Sequence, residues 1–180
     1  MDILKTNISG VLIITPTIFD DDRGYFFESY NKVLFEKHGI TEEFLQDNQS
    51  KSNKGVIRGL HFQHPPFAQS KLIRVIKGSV LDVVVDLRRN SETYGKNFSI
   101  IIDDNEKRML YIPIGFAHGF LTLEDNTIFA YKCSKIYNRE ADDTLFWNDT
   151  DLNIIWDIKN PKISEKDKKG KRFADFISEF

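Results

Sequence analysis

The sequence predicts an all-β fold in which two antiparallel sheets pack as a sandwich or barrel, with few short helices. Short runs rich in β-branched and aromatic residues recur along the 180 residues, and turn signals rich in Pro and Gly separate them. Only two stretches have a helical character. A jelly roll is one arrangement of this kind. The length suits one core, so we treat residues 1–180 as a single domain.

The first half of the chain alternates strands with one short helix. NKVLFEKHG predicts that helix, ended by Gly39, and DDDRG predicts a turn. In YFFESY, Tyr25 and Phe27 share one face of a strand and Phe26 and Glu28 share the other. HPPFAQS is irregular, because its two prolines lack backbone donors. Strands are predicted by GVLIITPTIF, YFFESY, FLQDNQS and GVIRGLHFQ.

KLIRVIKGSVLDVVVDLRR predicts a β-hairpin, because two β-branched runs flank the turn KGS. Asp82 and Asp86 fall on the polar face of its second run. PIGFAHGF predicts a loop that carries His118. SEKDKKGKRFADFISEF predicts a C-terminal helix over about residues 164–180. The later strands are predicted by YGKNFSIIID, KRMLYIPIG, TIFAYKCSKIY and DLNIIWDI.

The composition excludes several classes of function. The net charge of −2 gives no support for a nucleic-acid or membrane partner. A single cysteine, Cys133, rules out an intramolecular disulfide framework and a thiolate metal cluster. The N-terminus has no signal-peptide character, so we expect a cytoplasmic protein. No Gly-rich nucleotide motif follows a strand, so nicotinamide or ATP chemistry has no visible support.

Histidines are the first candidates for chemistry, although His38 and His61 also have structural interpretations and His64 is assigned no role. His61 lies in a strand, where a lone histidine is commonly a satisfied structural residue, and His118 lies in a loop that could border a site. His38 suits the negative end of a helix. A metal site built from His61, His64 and His118 is not expected, because strand positions three apart face opposite ways and no glutamate follows nearby.

Three other residues have equally plain structural interpretations. Asp167 follows Ser164 by three positions, a helix-capping pattern. Tyr131 suits a packed aromatic residue, and Lys71 an exposed strand lysine. Arg58 and His61 should face opposite sides of their strand unless it twists or bulges at Gly59.

Six motifs, in order from about Gly10 to Asp167, resemble the dTDP-4-dehydrorhamnose 3,5-epimerase family. They are QDNQS, RGLHFQ, AQSKLIRVIKGSVLDVVVDLRRNSETYG, IPIGFAHGF, AYKCS and SEKD. The resemblance implies a cupin-type jelly roll, a double-stranded β-helix, and a homodimer that exchanges an N-terminal strand region of about residues 10–30. It also implies cofactor-independent epimerisation at C3 and C5 of dTDP-4-keto-6-deoxy-glucose, giving dTDP-4-keto-rhamnose through an enolate.

The same resemblance implies roles for individual residues. His61 would be the general base, Asp167 its carboxylate partner, Tyr131 the acid on the opposite face, and Lys71 the cation near the C4 oxygen. Arg58 would hold a diphosphate oxygen or support the oxyanion.

The resemblance also implies the residues that bind the nucleotide sugar. His118 would line the sugar pocket, in a role left open. The remaining contacts are the polar residues Gln46 and Asn48, the residues Arg23, Phe26 and Glu28 supplied across the dimer, and a stacking face for thymine on Phe19 or Phe26. One departure concerns Tyr137, which is followed by Asn138 where the family often has a proline.

Two alternatives remain at this point. One is an epimerase acting at C3 or C5 only, on a related dTDP- or GDP-linked 4-keto sugar. The other is a non-catalytic sugar-nucleotide binder or a metal-binding cupin.

Overall fold

The computed structural model describes residues 1–180 and contains thirteen strands and two short helices. The helices are α1 (Lys32–Lys37) and α2 (Glu165–Lys168), and a 3-10 turn spans Phe173–Asp175. The strands are β1 (Asp2–Lys5), β2 (Leu12–Thr15), β3 (Phe19–Asp21), β4 (Gly24–Phe26), β5 (Gln46–Ser52), β6 (Ile57–Gln63), β7 (Lys71–Lys77), β8 (Ser79–Asp86), β9 (Asn97–Asp103), β10 (Met109–Ile112), β11 (Phe116–Thr122), β12 (Thr127–Cys133) and β13 (Asp142–Thr144).

Two antiparallel sheets form the body of the protein. The six-stranded sheet has the order β1-β2-β10-β7-β12-β5, and the five-stranded sheet has the order β13-β6-β11-β8-β9. Strands β3 and β4 form a separate hairpin. The predicted all-β architecture with two packed antiparallel sheets and few short helices is confirmed. No helix is both long enough and apolar enough to cross a membrane.

Apolar residues are buried on both faces of each sheet. Between the sheets lies an inner core that includes Ile73, Val84 and Phe129. Its neighbours Val83 and Val85 point the other way and join an outer core beneath the C-terminal segment. A third cluster packs α1 against the outside of the six-stranded sheet. Because both faces are covered, strand β8 has a nearly continuous hydrophobic sequence rather than an alternating one.

The predicted hairpin KLIRVIKGSVLDVVVDLRR is wrong. Strand β7 pairs with β10 and β12 in one sheet, whereas β8 pairs with β9 and β11 in the other. The turn at Gly78, with φ of +80°, is therefore a corner at which the chain changes sheets. Local turn chemistry is the same for a corner and a hairpin, so the pattern could not distinguish them.

The predicted late strand DLNIIWDI is also wrong. Residues 151–158 form turns and irregular chain, and their apolar residues Leu152 and Trp156 pack on the outer face of the five-stranded sheet. The Trp156 indole N–H donates to the carbonyl of Trp147 at 2.8 Å. The apolar residues of this segment are therefore explained by their burial against the sheet and not by pairing with another strand.

Most of the predicted C-terminal helix over residues 164–180 is irregular. Helix α2 has four residues, and Lys171 then forms a bridge with Leu145. A Cβ on Gly170 would lie 2.6 Å from the backbone of Leu145, so the chain passes too close there for a larger residue. Contact with the sheet overrides helical propensity in this segment.

The N-terminal helix follows its prediction. The Asn31 side chain accepts a hydrogen bond from the Leu34 N–H at 3.2 Å, which caps the start of α1. Gly39 follows the end of the helix with φ of +84°, a conformation that favours glycine.

A buried carboxylate organises the loop after β8. Asp86 is fully buried and accepts hydrogen bonds from the Arg88 backbone and guanidinium, from Ser91 and from Thr93, at 2.6–2.9 Å. Burial raises the pKa of Asp86, but these hydrogen bonds outweigh it and hold the pKa below the ordinary value.

This carboxylate gives a testable prediction about stability. A depressed pKa contributes stability that is present above the unfolded pKa of about 3.9 and is lost as pH falls through the folded pKa. Asp86→Asn should lower the free energy of unfolding by about 2–4 kcal/mol at pH 7. Denaturant unfolding at pH 7 and pH 3 should show that the difference from wild type shrinks in acid. A difference that stays constant with pH would contradict this account.

Candidate active site

A histidine–carboxylate pair lies on the second strand of the five-stranded sheet, where helix α2 meets it. His61, on β6, is hydrogen-bonded through Nε2 to Asp167 Oδ1 at 2.7 Å. Asp167 Oδ2 accepts from the Gly59 N–H at 3.2 Å, and the Asp167 N–H donates to Ser164 Oγ at 3.1 Å. The predicted cap on α2 is therefore present, and it also orients the carboxylate.

The electrostatics of this pair leave one imidazole nitrogen free. Burial raises the pKa of Asp167, but hydrogen bonds from His61, Gly59 and Ser164 hold it below its ordinary value, so the group is ionised at neutral pH. An ionised carboxylate only accepts hydrogen bonds, so Nε2 of His61 must carry the proton. In the neutral tautomer that this bond selects, Nδ1 carries no proton and can act as a base.

Gly59 explains why Arg58 and His61 share one cavity. It has φ of +129°, and the pairing of β6 with β11 shifts register beside it. As a result Ile57 and Leu60 both point into the outer core, while Arg58 and His61 both line the inner side. A Cβ on Gly59 would lie 2.5 Å from the Gly119 Cα, so the two strands approach too closely for any other residue. The irregularity that the sequence left open at Gly59 is present, so Arg58 and His61 do not face opposite sides.

The six-stranded sheet supplies the opposite wall. Lys71 on β7 and Cys133 on β12 are direct cross-strand neighbours, and both line the cavity that contains His61. Lys71 is only 8% exposed, and its ammonium donates to the His61 carbonyl at 3.4 Å. Burial lowers the pKa of Lys71. The interpretation of Lys71 as an exposed strand lysine is wrong.

Tyr131, also on β12, faces His61 from the six-stranded sheet. Its hydroxyl has no hydrogen-bond partner within the protein, and its ring lies 5.9 Å from that of Phe129. Burial raises the pKa of Tyr131, so the phenol keeps its proton at neutral pH. The side chain is therefore a candidate proton donor.

The space between the two walls forms two adjoining cavities. The outer cavity, of about 410 Å³, contains Gln46 and Tyr137, and the inner one, of about 290 Å³, contains Arg58 and His118. The two cavities share four lining residues, which are Asn48, His61, Lys71 and Tyr131. Seven of the sequence-predicted site residues thus line these cavities, and Asp167 joins them through its hydrogen bond to His61.

His118 belongs to strand β11, so the prediction of a loop at this residue is wrong. Its Nε2 lies 2.8 Å from Asp82 Oδ2, and both residues are buried. Burial lowers the pKa of His118, so its imidazole is neutral at neutral pH. Asp82 therefore lies inside the protein, paired with His118.

The remaining histidines lie outside the cavities. His64 Nε2 is 2.9 Å from Asp143 Oδ2, and His38 caps the C-terminal end of α1. No group of three His, Cys, Asp or Glu side chains is arranged to hold a metal ion.

The predicted N-terminal contacts lie apart from the cavities of the same chain. Phe19 and Phe26 face each other across the β3–β4 hairpin and are 61% and 66% exposed. Arg23 forms an ion pair with Asp21 at 2.6 Å, and Glu28 accepts a hydrogen bond from Asn31 at 3.1 Å. These residues do not line the space around His61.

Sequence reasoning missed a group of polar residues at the mouth of the outer cavity. Tyr137 donates through its hydroxyl to Asp142 Oδ2 at 3.0 Å, and Lys166 forms an ion pair with the same carboxylate. Gln63 and Gln69 also line this cavity. The only sequence signal for these residues was that two of them lie close to predicted site residues in the chain. Lys166 precedes Asp167, and Gln69 lies two residues before Lys71.

Comparisons with known proteins identify relatives over nearly the whole chain. Residues 5–175 match the family model for dTDP-4-dehydrorhamnose 3,5-epimerase. The Shigella flexneri dTDP-4-dehydrorhamnose 3,5-epimerase is 47% identical over 176 residues, which cover 97% of each chain.

Solved structures agree in fold. The crystal structure of the Elizabethkingia anophelis dTDP-4-dehydrorhamnose 3,5-epimerase superposes with a TM-score of 0.93 at 46% identity and covers 97% of each chain. The Legionella pneumophila dTDP-6-deoxy-D-glucose-3,5-epimerase, in complex with dTDP-4-keto-L-rhamnose, gives 0.94 at 40% identity, covering 98% of this chain and 94% of that one. The predicted cupin-type jelly roll is confirmed, and the chain belongs to the dTDP-4-dehydrorhamnose 3,5-epimerase family.

Proposed function

We propose that this protein is an isomerase that inverts C3 and C5 of dTDP-4-keto-6-deoxy-glucose and so produces dTDP-4-keto-rhamnose. One observation carries the proposal: a candidate base and a candidate acid line one cavity from opposite sheets, His61 from the five-stranded sheet and Tyr131 from the six-stranded sheet. Inversion requires a proton to leave one face of a carbon and return to the other. The ligand of the Legionella relative supports the choice of substrate.

The chemistry begins at His61. Nδ1 takes the proton from the carbon next to the C4 ketone, and the electron pair moves into an enolate whose charge rests on the C4 oxygen. The buried Lys71 ammonium would stabilise that oxygen, because a fixed charge in a dry cavity acts strongly on developing negative charge. Tyr131 then gives its proton to the opposite face. No electrons are gained or lost overall, so the step needs no redox cofactor.

Asp167 supports the base without touching the substrate. Its carboxylate fixes the His61 ring in the orientation and tautomer that expose Nδ1, and it stabilises the imidazolium that forms. The inner cavity, with His118 and Arg58, would take the sugar ring. The diphosphate and nucleoside would extend through the outer cavity, past Gln46 and Asn48.

The exposed N-terminal hairpin supports a further part of the proposal, a homodimer with exchanged hairpins. Phe19 and Phe26 expose large aromatic surface, and Arg23 adds a cation suited to a diphosphate. We propose that the region of about residues 10–30, with Glu28, completes the nucleotide site of the partner subunit. A cytoplasmic location stays a prediction.

The base gives the first functional prediction. His61→Ala should lower kcat by about 10²- to 10⁴-fold, the usual contribution of general-base catalysis. Affinity for dTDP should stay within a few-fold, since the imidazole is not placed to bind the nucleotide. A coupled assay with a reductase that accepts dTDP-4-keto-rhamnose measures turnover, and calorimetry measures dTDP binding. Retention of turnover would refute the assigned role.

Tyr131 provides a test of double against single epimerisation. In heavy water the wild-type protein should exchange and invert at both C3 and C5, as followed by NMR. Tyr131→Phe lacks the acidic proton, so exchange promoted by His61 should persist while inversion falls by roughly 10²-fold or more. Inversion at one carbon only in the wild type would favour the single-site epimerase, and dTDP- and GDP-linked substrates should be compared side by side.

Complementation tests the exchanged dimer. His61→Ala lacks the base, and an Arg23→Ala/Phe26→Ala double variant lacks the hairpin contacts, so each alone should be nearly inactive. Unfolding and refolding the two together should restore about a quarter of wild-type activity, because half of the dimers are mixed and one of their two sites is intact. If each chain used its own hairpin, no mixed dimer would contain an intact site and activity would not return.

A further inference from the structure

The outer cavity is bordered by a segment whose backbone is held by side chains rather than by other backbone groups. Residues Lys135–Asn138 follow strand β12 and have no regular structure. Residues 135–140 form no backbone–backbone hydrogen bond at all. Tyr137 nevertheless lines the cavity that contains His61 and Lys71, with its side chain anchored by Asp142. A segment of this kind would be mobile unless side chains held its backbone.

Three glutamine side chains supply that support. Gln69 Nε2 donates to the Lys135 carbonyl at 2.7 Å. Gln46 Oε1 accepts from the Tyr137 N–H at 2.7 Å, and Gln63 Oε1 accepts from the Asn138 N–H at 2.7 Å. The glutamines come from strand β5, from strand β6 and from the loop of residues 64–70, so three separate elements hydrogen-bond to the backbone of the segment. We name this group the amide clamp.

Gln63 joins two loops at once. Its Nε2 donates to the Phe67 carbonyl at 2.7 Å, so one side chain links the loop of residues 64–70 to the segment of Tyr137 and Asn138. Only 4% of Gln63 is exposed, and both ends of its amide are satisfied. Losing either bond would leave a buried polar group without a partner, which is costly.

We propose that the amide clamp fixes the Lys135–Asn138 segment as the outer wall of the active site, and that it sets the affinity for the nucleoside diphosphate part of the substrate rather than the rate of proton transfer. The inference rests on the proposed function. Gln63 and Gln69 border the outer cavity, but they act as positioning residues, because their amides bond to the backbone of the segment that they hold.

The geometry separates affinity from chemistry. The clamped segment borders the outer cavity but not the inner one, which contains His118 and Arg58. His61 is oriented by Asp167, and Lys71 contacts the His61 carbonyl, so neither depends on the clamp. With the sugar ring in the inner cavity, as proposed above, the nucleoside diphosphate extends into the outer cavity and meets the clamped wall. Loosening that wall should therefore weaken binding and leave the proton steps in place.

The test uses isosteric variants and a matched control. Gln63→Met and Gln69→Met remove the amide but keep the shape of the side chain, and the half-buried Gln69 provides a second test if Gln63→Met folds poorly. Asn97→Leu is the control, because Asn97 Nδ2 donates to the Leu152 carbonyl at 2.8 Å, an equivalent amide bond away from the cavities. Hydrogen exchange over residues 134–141, calorimetric titration with dTDP and steady-state turnover are measured for each protein.

Both glutamine variants should accelerate amide exchange at Tyr137 and Asn138. They should also weaken dTDP binding and raise KM by about 3- to 10-fold, the worth of one neutral hydrogen bond. kcat should stay within about twofold of wild type, because a loss confined to binding leaves the chemical step intact. Asn97→Leu should match wild type in all three measurements at the active site.

Two results would overturn the proposal. Unchanged exchange over residues 134–141 in both variants would show that the glutamines do not hold the segment. Faster exchange with unchanged dTDP affinity would show that the segment is not a wall of the nucleotide site. Absence of epimerase turnover in the wild-type protein would instead refute the proposed function. Hydrogen exchange and dTDP titration of the variants would still show whether the amide clamp holds the segment and affects nucleotide affinity.

Discussion

The hydrogen bond between His61 and Asp167 is the interaction on which the site depends. One buried carboxylate orients the imidazole, accepts from the Gly59 backbone and is itself fixed by the cap at Ser164. The C-terminal segment can present this carboxylate only because its apolar residues pack on the outside of the five-stranded sheet. Packing on the outer face of the sheet therefore positions the carboxylate that orients the base on its inner face. The glycine between Arg58 and His61 lets both side chains enter the same cavity.

The two-sheet architecture places functional groups on both sides of the active-site cavity. Strands buried on both faces make a rigid pair of walls, so groups on opposite walls keep a fixed separation. The wall formed by the five-stranded sheet holds His61 and His118, each bonded to a carboxylate, and the other wall holds Lys71 and Tyr131. A planar enolate between such walls meets a base on one side and an acid on the other. The fold thus supplies, through sheet packing alone, the two-faced arrangement that inversion requires.

Local patterns predicted the strands well and their partners poorly. β-Branched runs identified most strands, and Asn31 and Gly39 marked α1 because caps and turns act over a few residues. The corner at Gly78, the irregular chain around Trp156 and the bridge at Lys171 all depend on contacts with distant strands. At the site, family motifs pointed to His61 and Asp167, but spacing alone could not, since the two residues lie 106 positions apart. The roles of Gln63 and Gln69 were invisible, because a glutamine that holds a loop resembles any polar strand or loop residue.

The long sequence separation of His61 and Asp167 has a consequence for how the protein matures. Contacts between distant parts of a chain carry a large entropic penalty for loop closure and tend to form late. An intermediate could complete both sheets, and with them Lys71, Tyr131 and the cavity, before the Asp167 segment docks. Such a species would be compact and able to bind a nucleotide sugar, but it would be inactive because Asp167 does not yet orient His61. Enzymatic activity is therefore a stricter reporter of complete maturation than ligand binding or β-sheet content.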